Sequence, residues 1–160
     1  MKKTLKTIAL AIIALTVLTL LVSCGGDKYD GISLDIAAFG THIYENAKFD
    51  DELMQMPDGS LATVVPLGSS AAASVYFCGT GATPEEIIII EAADKEAALG
   101  ALEDRLASQK TTYTKYNAEQ KTKLNDAVVM TAGNYAIYVV SADNAGAEAV
   151  VTAYLDSQAK

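Results

Sequence analysis

The chain has 160 residues, 51% of them hydrophobic, two cysteines, a single histidine and a formal net charge of −8. That acidic balance argues against nucleic acid and anionic headgroups as partners, since both are bound through basic patches. The length suits one domain, able to bury roughly two thirds of its unfolded surface in a single core without disulfide or metal, and it is short for a two-lobed, hinged solute-binding architecture.

The basic start Met1-Lys2-Lys3-Thr4-Leu5-Lys6 leads into a fifteen-residue apolar run from Ile8 to Val22, closed by Leu21-Val22-Ser23-Cys24. Slender residues directly ahead of a cysteine are what a lipoprotein signal peptidase cuts behind, so a signal peptide is expected over 1–23, with cleavage before Cys24 and acylation of its thiol. An uncleaved spanning helix fits less well, because Lys6 interrupts one flank and Ser23-Cys24-Gly25-Gly26 ends the other. A plain secretory signal leaves the cysteine a coincidence. Buried acyl methylenes contribute about 0.8 kcal/mol each, so two or three chains give a stable anchor. The expected location is therefore the extracytoplasmic face of a cell membrane, held by acyl chains on Cys24.

Loss of residues 1–23 removes Lys2, Lys3 and Lys6 and leaves nine basic against twenty acidic side chains, a net of −11. With Cys24 acylated, Cys78 stands alone and no intrachain disulfide is expected. Residues 24–32, rich in glycine and charge, read as a lipidated flexible tether that lets the domain stand off the membrane. The folded domain is expected over 33–156, with 157–160 as a tail.

From Ser33, a candidate N-cap, the residues Ile36, Phe39, Gly40, Ile43 and Ala47 repeat at helical spacing. His42 falls about 120° from the centre of that stripe, on the flank or surface. It has no cysteine, carboxylate or second histidine at ligand spacing, so no metal site is expected. Between Asp50 and Ser74 the pattern weakens: Pro57-Asp58-Gly59 is a turn, Leu61 to Val65 reads as a short strand stopped by Pro66, and Gly68 to Ser74 fits loop or short helix equally.

Val75-Tyr76-Phe77-Cys78 reads as a strand ended by Gly79-Thr80-Gly81. A strand followed by Gly-x-Gly suggests a dinucleotide loop. Pro84 stands where the third glycine belongs, however, and Ile87 to Ile90 is a strand instead of a phosphate-facing helix, so no nucleotide cofactor is expected. Thr83-Pro84-Glu85-Glu86 has the form of a capping box, read as one helical turn feeding that strand.

Asp94 caps a long helix carrying Leu99, Leu102, Leu106 and Tyr113 on one stripe with Ala98 and Ala101, and Glu96, Glu103 and Asp104 opposite. Asn117 with Gln120 marks a second cap and a restart through Lys123. Tyr113 and Tyr116 meet at that break, as packing or as a binding edge. Ala127 to Thr131 and Tyr135 to Val140 form a hairpin around Gly133-Asn134, with Ala136, Tyr138 and Val140 on one face and Tyr135, Ile137 and Val139 on the other. Ala145 to Leu155 is a final amphipathic helix capped by Asp143 or Asn144. The element order predicts an α+β fold: one small domain with an antiparallel β-sheet and helices packed mainly on one face.

Together the lipobox, Thr83-Pro84-Glu85-Glu86-Ile87, the Tyr113 and Tyr116 pair ahead of Asn117, Asn125-Asp126-Ala127 and Gly133-Asn134-Tyr135 resemble small clostridial lipoproteins of the domain of unknown function family 4358, over roughly Leu34 to Leu155. The resemblance implies an anchored extracytoplasmic domain without an assigned activity, and carries over no functional residue beyond Cys24. The functional expectation is noncatalytic binding or scaffolding of an unknown protein or small-molecule partner, with no catalytic residue, metal or cofactor. One alternative is a thiol hydrolase using Cys78 and His42, which needs a partly exposed thiolate beside its base. Another is an accessory subunit of an envelope complex, which needs an exposed apolar patch.

Overall fold

A computed structural model of the chain describes residues 27–67 and 71–159, so the expected signal peptide and the expected acylation site Cys24 lie outside the described residues. The domain is α+β, as expected: helix α1 (Ile36–Asn46), strands β1 (Met54–Gln55), β2 (Ala71–Cys78) and β3 (Glu86–Ala92), helix α2 (Lys95–Tyr116), strands β4 (Val128–Ala132) and β5 (Tyr135–Val140), and helix α3 (Asn144–Gln158). The strands form one antiparallel sheet in the order β1-β2-β3-β5-β4.

Strand β3 lies between β2 and β5, and Ile87 to Ile90 are all fully buried. Alternation sends Ile87 and Ile89 into a core with Phe39 and Ile43 of α1 and Val151 and Leu155 of α3, and Ile88 and Ile90 into a second core with Ala98 and Leu102 of α2. A strand covered on both sides has no use for polar positions, which accounts for four isoleucines in a row. The β4–β5 hairpin follows the predicted split: Tyr135, Ile137 and Val139 join the first core and Ala136, Tyr138 and Val140 the second. Two of the three helices thus share one face, and α2 covers the other.

Local signals decide the ends. Asp94 caps α2 as read, and of the two candidates for α3 the cap is Asp143; they accept from the Ala97 and Gly146 N–H groups. For α1 the cap is Asp35, which accepts from Ala37 and Ala38, and not Ser33. Three further expectations are corrected. Leu61 to Val65 is not a strand: Ser60–Thr63 is a 3-10 helix entered through Gly59 at φ +83°, and Leu61 within it and Val65 just after it are buried. Ala71 to Ser74 belongs to β2 instead of a loop or helix. The Thr83-Pro84-Glu85-Glu86 stretch makes no helical turn, because both glutamates are drawn into buried ion pairs.

Residues 27–32, expected within a flexible tether, are folded onto the domain. Tyr29 is buried in the first core with Ile32 packed against it, and Asp27 accepts from Lys95 Nζ at 2.7 Å and from the Gly133 N–H at 3.0 Å.

Candidate ligand groove

The site is built on Glu85 and Glu86, adjacent carboxylates at the start of β3, each almost wholly buried. A buried carboxylate must find cations and donors to offset lost hydration. Glu85 takes Lys123 Nζ at 2.7 Å and the backbone N–H groups of Asp50 and Asp51 at 2.8 and 2.9 Å, which fixes the loop after α1. Glu86 takes Arg105 in a two-point bond, Nε at 3.0 Å and Nη2 at 2.9 Å, with Gln109 Nε2 at 3.1 Å and the Tyr76 hydroxyl at 3.1 Å. Burial works against the charges of Arg105 and Lys123, but hydrogen bonds and charge from their carboxylate partners hold both cations above their ordinary values. Burial first, and the Glu86 charge second, push the Tyr76, Tyr113 and Tyr138 hydroxyls upward, so all three stay neutral.

Above Glu86 lies a cavity of about 370 Å³ between the end of β2, the 79–84 loop and the second half of α2. Arg105, Gln109, Thr112 and Tyr116 line one wall, and Tyr76, Cys78 and Gly79 to Gly81 the other. The Tyr113 hydroxyl donates to the Gly81 carbonyl at 2.9 Å and ties the loop to the helix. Thr80 is tied from behind, its N–H and hydroxyl both donating to Asp51 Oδ2. Within the cavity wall, the side chain of Arg105 is 16% exposed.

Among the described residues, the exposed large hydrophobic side chains are Met54 at 64% and Tyr116 at 84%. Of the two, only Tyr116 lines this cavity, and Met54 lies beside one of its lining residues. Met54 sits directly across from Cys78 in the β1–β2 register, so the two side chains share a sheet face.

The sequence-derived candidates fall as follows. Cys78 is half-buried at the groove, packed against the second core. His42 lies on the other side of the sheet, its ring 4.9 Å from Tyr154, with Asn46 donating to its backbone carbonyl. The sheet therefore separates the thiol from the imidazole, and the Cys78 and His42 pairing required by a thiol hydrolase is not assembled. Among the described residues no group of three or more His, Cys, Asp or Glu side chains is placed to hold a metal ion. Arg105 was not singled out from the sequence, and Glu86 was read there as part of a capping box and not as a site residue. A signal was there: Ala98, Leu102, Arg105, Gln109, Thr112 and Tyr116 continue one helical stripe at steps of three and four, apolar in its first half and polar in its second.

The stretch of the chain that matches a family model holds both glutamates, Arg105 and Lys123. Residues 71–141 match the family model described as Domain of unknown function (DUF4358). The DUF4358 stretch runs from the first residue of β2 to just past β5, narrower than the Leu34 to Leu155 span of the sequence resemblance, and leaves out α1, β1 and α3. It contains every groove-lining residue; of the two exposed hydrophobic side chains, Tyr116 lies inside it and Met54 outside. No curated protein and no solved structure matches the chain.

Proposed function

We propose that this chain is a membrane-anchored extracytoplasmic lipoprotein, acylated at Cys24, that binds a partner protein without catalysing a reaction, and that the groove over Glu86 and Arg105 is where the partner seats. The observation carrying the reading is that Tyr116, exposed to solvent, lines a cavity whose base is a charge-balanced cluster, with Met54, the other large hydrophobic side chain exposed among the described residues, on the same sheet face beside Cys78. Exposed apolar groups beside a depression are what a polar-rimmed protein interface uses as anchors. Arg105 arrives at the groove with its charge already balanced by Glu86, which favours a neutral segment with apolar side chains over an anionic ligand. The acidic surface favours partners that carry basic residues around that segment. The Leu21-Val22-Ser23-Cys24 box supports the anchor.

A photoreactive amino acid at position 116 of the full-length chain, irradiated in intact cells, tests the groove. It should yield a specific adduct that the same probe at Glu148, on the exposed side of α3, does not. Tyr116→Ala in the recovered complex should weaken binding by about 2 kcal/mol, roughly thirtyfold. Absence of any adduct at 116 beyond that at 148, across several growth conditions, would sink the proposal. The anchor is tested separately by labelling with a fatty-acid analogue: incorporation should vanish in Cys24→Ala, with release of the chain from the membrane fraction.

A further inference from the structure

The two edges of the sheet are treated differently. One edge is β1, two residues long and followed by Pro57, a short and blunted edge. The other is β4, Val128-Val129-Met130-Thr131-Ala132, which pairs only with β5 and carries no charge, no proline and no bulge. The turn at Gly133-Asn134 sets which of its backbone groups are spoken for. In a two-residue hairpin the flanking pair, here Ala132 and Tyr135, exchanges hydrogen bonds, as then do Met130 with Ile137 and Val128 with Val139. The N–H and C=O groups of Val129 and Thr131 therefore point away from the sheet, and among the described residues no turn, loop or side chain bonds to them. Val129, Met130 and Thr131 are only half-buried although helices lie on both faces beside them, which leaves the edge open.

We infer that β4 pairs antiparallel with β4 of a second copy of this chain, with the two-fold axis passing through Met130. The register follows from the outward groups. Val129 and Thr131 lie symmetrically about Met130, so Val129 of each copy meets Thr131 of the other and the four outward donors and acceptors satisfy one another. Met130 meets its own counterpart in the pair that exchanges no hydrogen bonds. The same register brings Val128 to Ala132 and Asp126 to Asn134, so no like charges stand opposite each other, and the general acidity of the chain is screened beyond about 8 Å at physiological salt. A second copy meets this edge with the same uncharged five residues, so the backbone pairing is gained without placing a charge at the new ladder. Five residues make a small contact of the transient class. Confinement to a membrane, under the anchoring proposed above, raises the effective concentration that such a contact needs.

The experiment uses the full-length chain in native membranes, carrying Met130→Cys. Opposed residues in a pair without mutual hydrogen bonds have Cα atoms about 4.5 Å apart, within the range a disulfide spans. Mild oxidation should shift at least half of the chain to twice its mass on non-reducing gels, with no such shift for the parent chain or for Glu148→Cys. Adding Thr131→Pro, which deletes one outward N–H at a position where an edge strand tolerates proline, should cut the yield at least tenfold. Thr131→Lys, which keeps the backbone and adds charge, should do the same, and circular dichroism of the purified variants verifies that they are folded. A Met130→Cys yield no higher than that of Glu148→Cys, or a yield unaffected by both Thr131 substitutions, overturns the inference. Neither outcome bears on the groove at Tyr116.

Discussion

Glu86 keeps a side chain only 2% exposed and accepts four hydrogen bonds, two from Arg105 and one each from Gln109 and Tyr76. Removing one partner of such a pair leaves the other charge buried and alone, so Arg105→Met should cost about 3–5 kcal/mol in denaturant unfolding, while the double variant with Glu86→Gln should cost clearly less than the sum of the two single changes. Tyr76→Phe deletes a bond to a charged acceptor and should cost about 1.5–3 kcal/mol. Among the described residues the buried Tyr138 hydroxyl makes no hydrogen bond of good geometry, although burial and then the nearby Glu86 carboxylate push its pKa upward, and Tyr138→Phe should be neutral or stabilising. In both tyrosines burial, then the Glu86 charge, raises the folded-state value above the ordinary 10.0. Their contribution to stability is complete below pH 10 and is lost as pH rises through the folded values, a fall that unfolding midpoints at pH 9 to 11.5 would register and that Tyr76→Phe would reduce. At this scale the sequence was least legible. Glu85 and Glu86 imitate a capping box in one dimension, and only the return of Arg105 and Lys123 through the fold shows why neither heads a helix.

Elements were easier to read, because their signals are local and periodic. Ile87 to Ile90, the hairpin around Gly133 and the aspartate caps of α2 and α3 each combine pattern with a terminator. The segment from Ser60 to Val65 misled because a short apolar run has the same composition as strand or as 3-10 turn, and the inward pair Leu61 and Val65 becomes informative only against Tyr76 and Ile88 in the packed core. Gly40 shows the same dependence on context. A methyl group there would gain helix propensity of about 1 kcal/mol, yet it would lie 2.7 Å from the ring of the buried Phe77. Packing wins in a close-fitting core, so Gly40→Ala should lower stability by about 1–3 kcal/mol in thermal or denaturant melts, with the α1 contact to β2 loosened.

Across the whole molecule, composition and element order sufficed for the α+β class and for a sheet with two of its three helices on one face. Long-range closure was illegible, above all the way residues 27–32 fold back onto the domain. Asp27 joins the start of α2, through Lys95, to the hairpin turn, through the Gly133 N–H. The hydrogen bond from Lys95, partly opposed by burial, sets the Asp27 carboxyl below its ordinary 3.8. A carboxyl lowered in the folded state contributes stability that is present above pH 3.8 and lost as pH falls through the lower folded value. Asp27→Asn should therefore be less stable than the parent chain at neutral pH, with the gap between them closing in acid titrations below pH 4.

That clamp also sets a distance. Gly25 and Gly26 alone separate Cys24 from Asp27, three residue steps spanning at most about 11 Å, so acylation at Cys24, as proposed above, keeps the domain on a short leash. From Lys95, which Asp27 grips, α2 runs 22 residues to Tyr116, about 30 Å at 1.5 Å per residue. Under the anchoring proposed at Cys24, the helix is a ruler that starts beside the tether and carries the groove toward its far end.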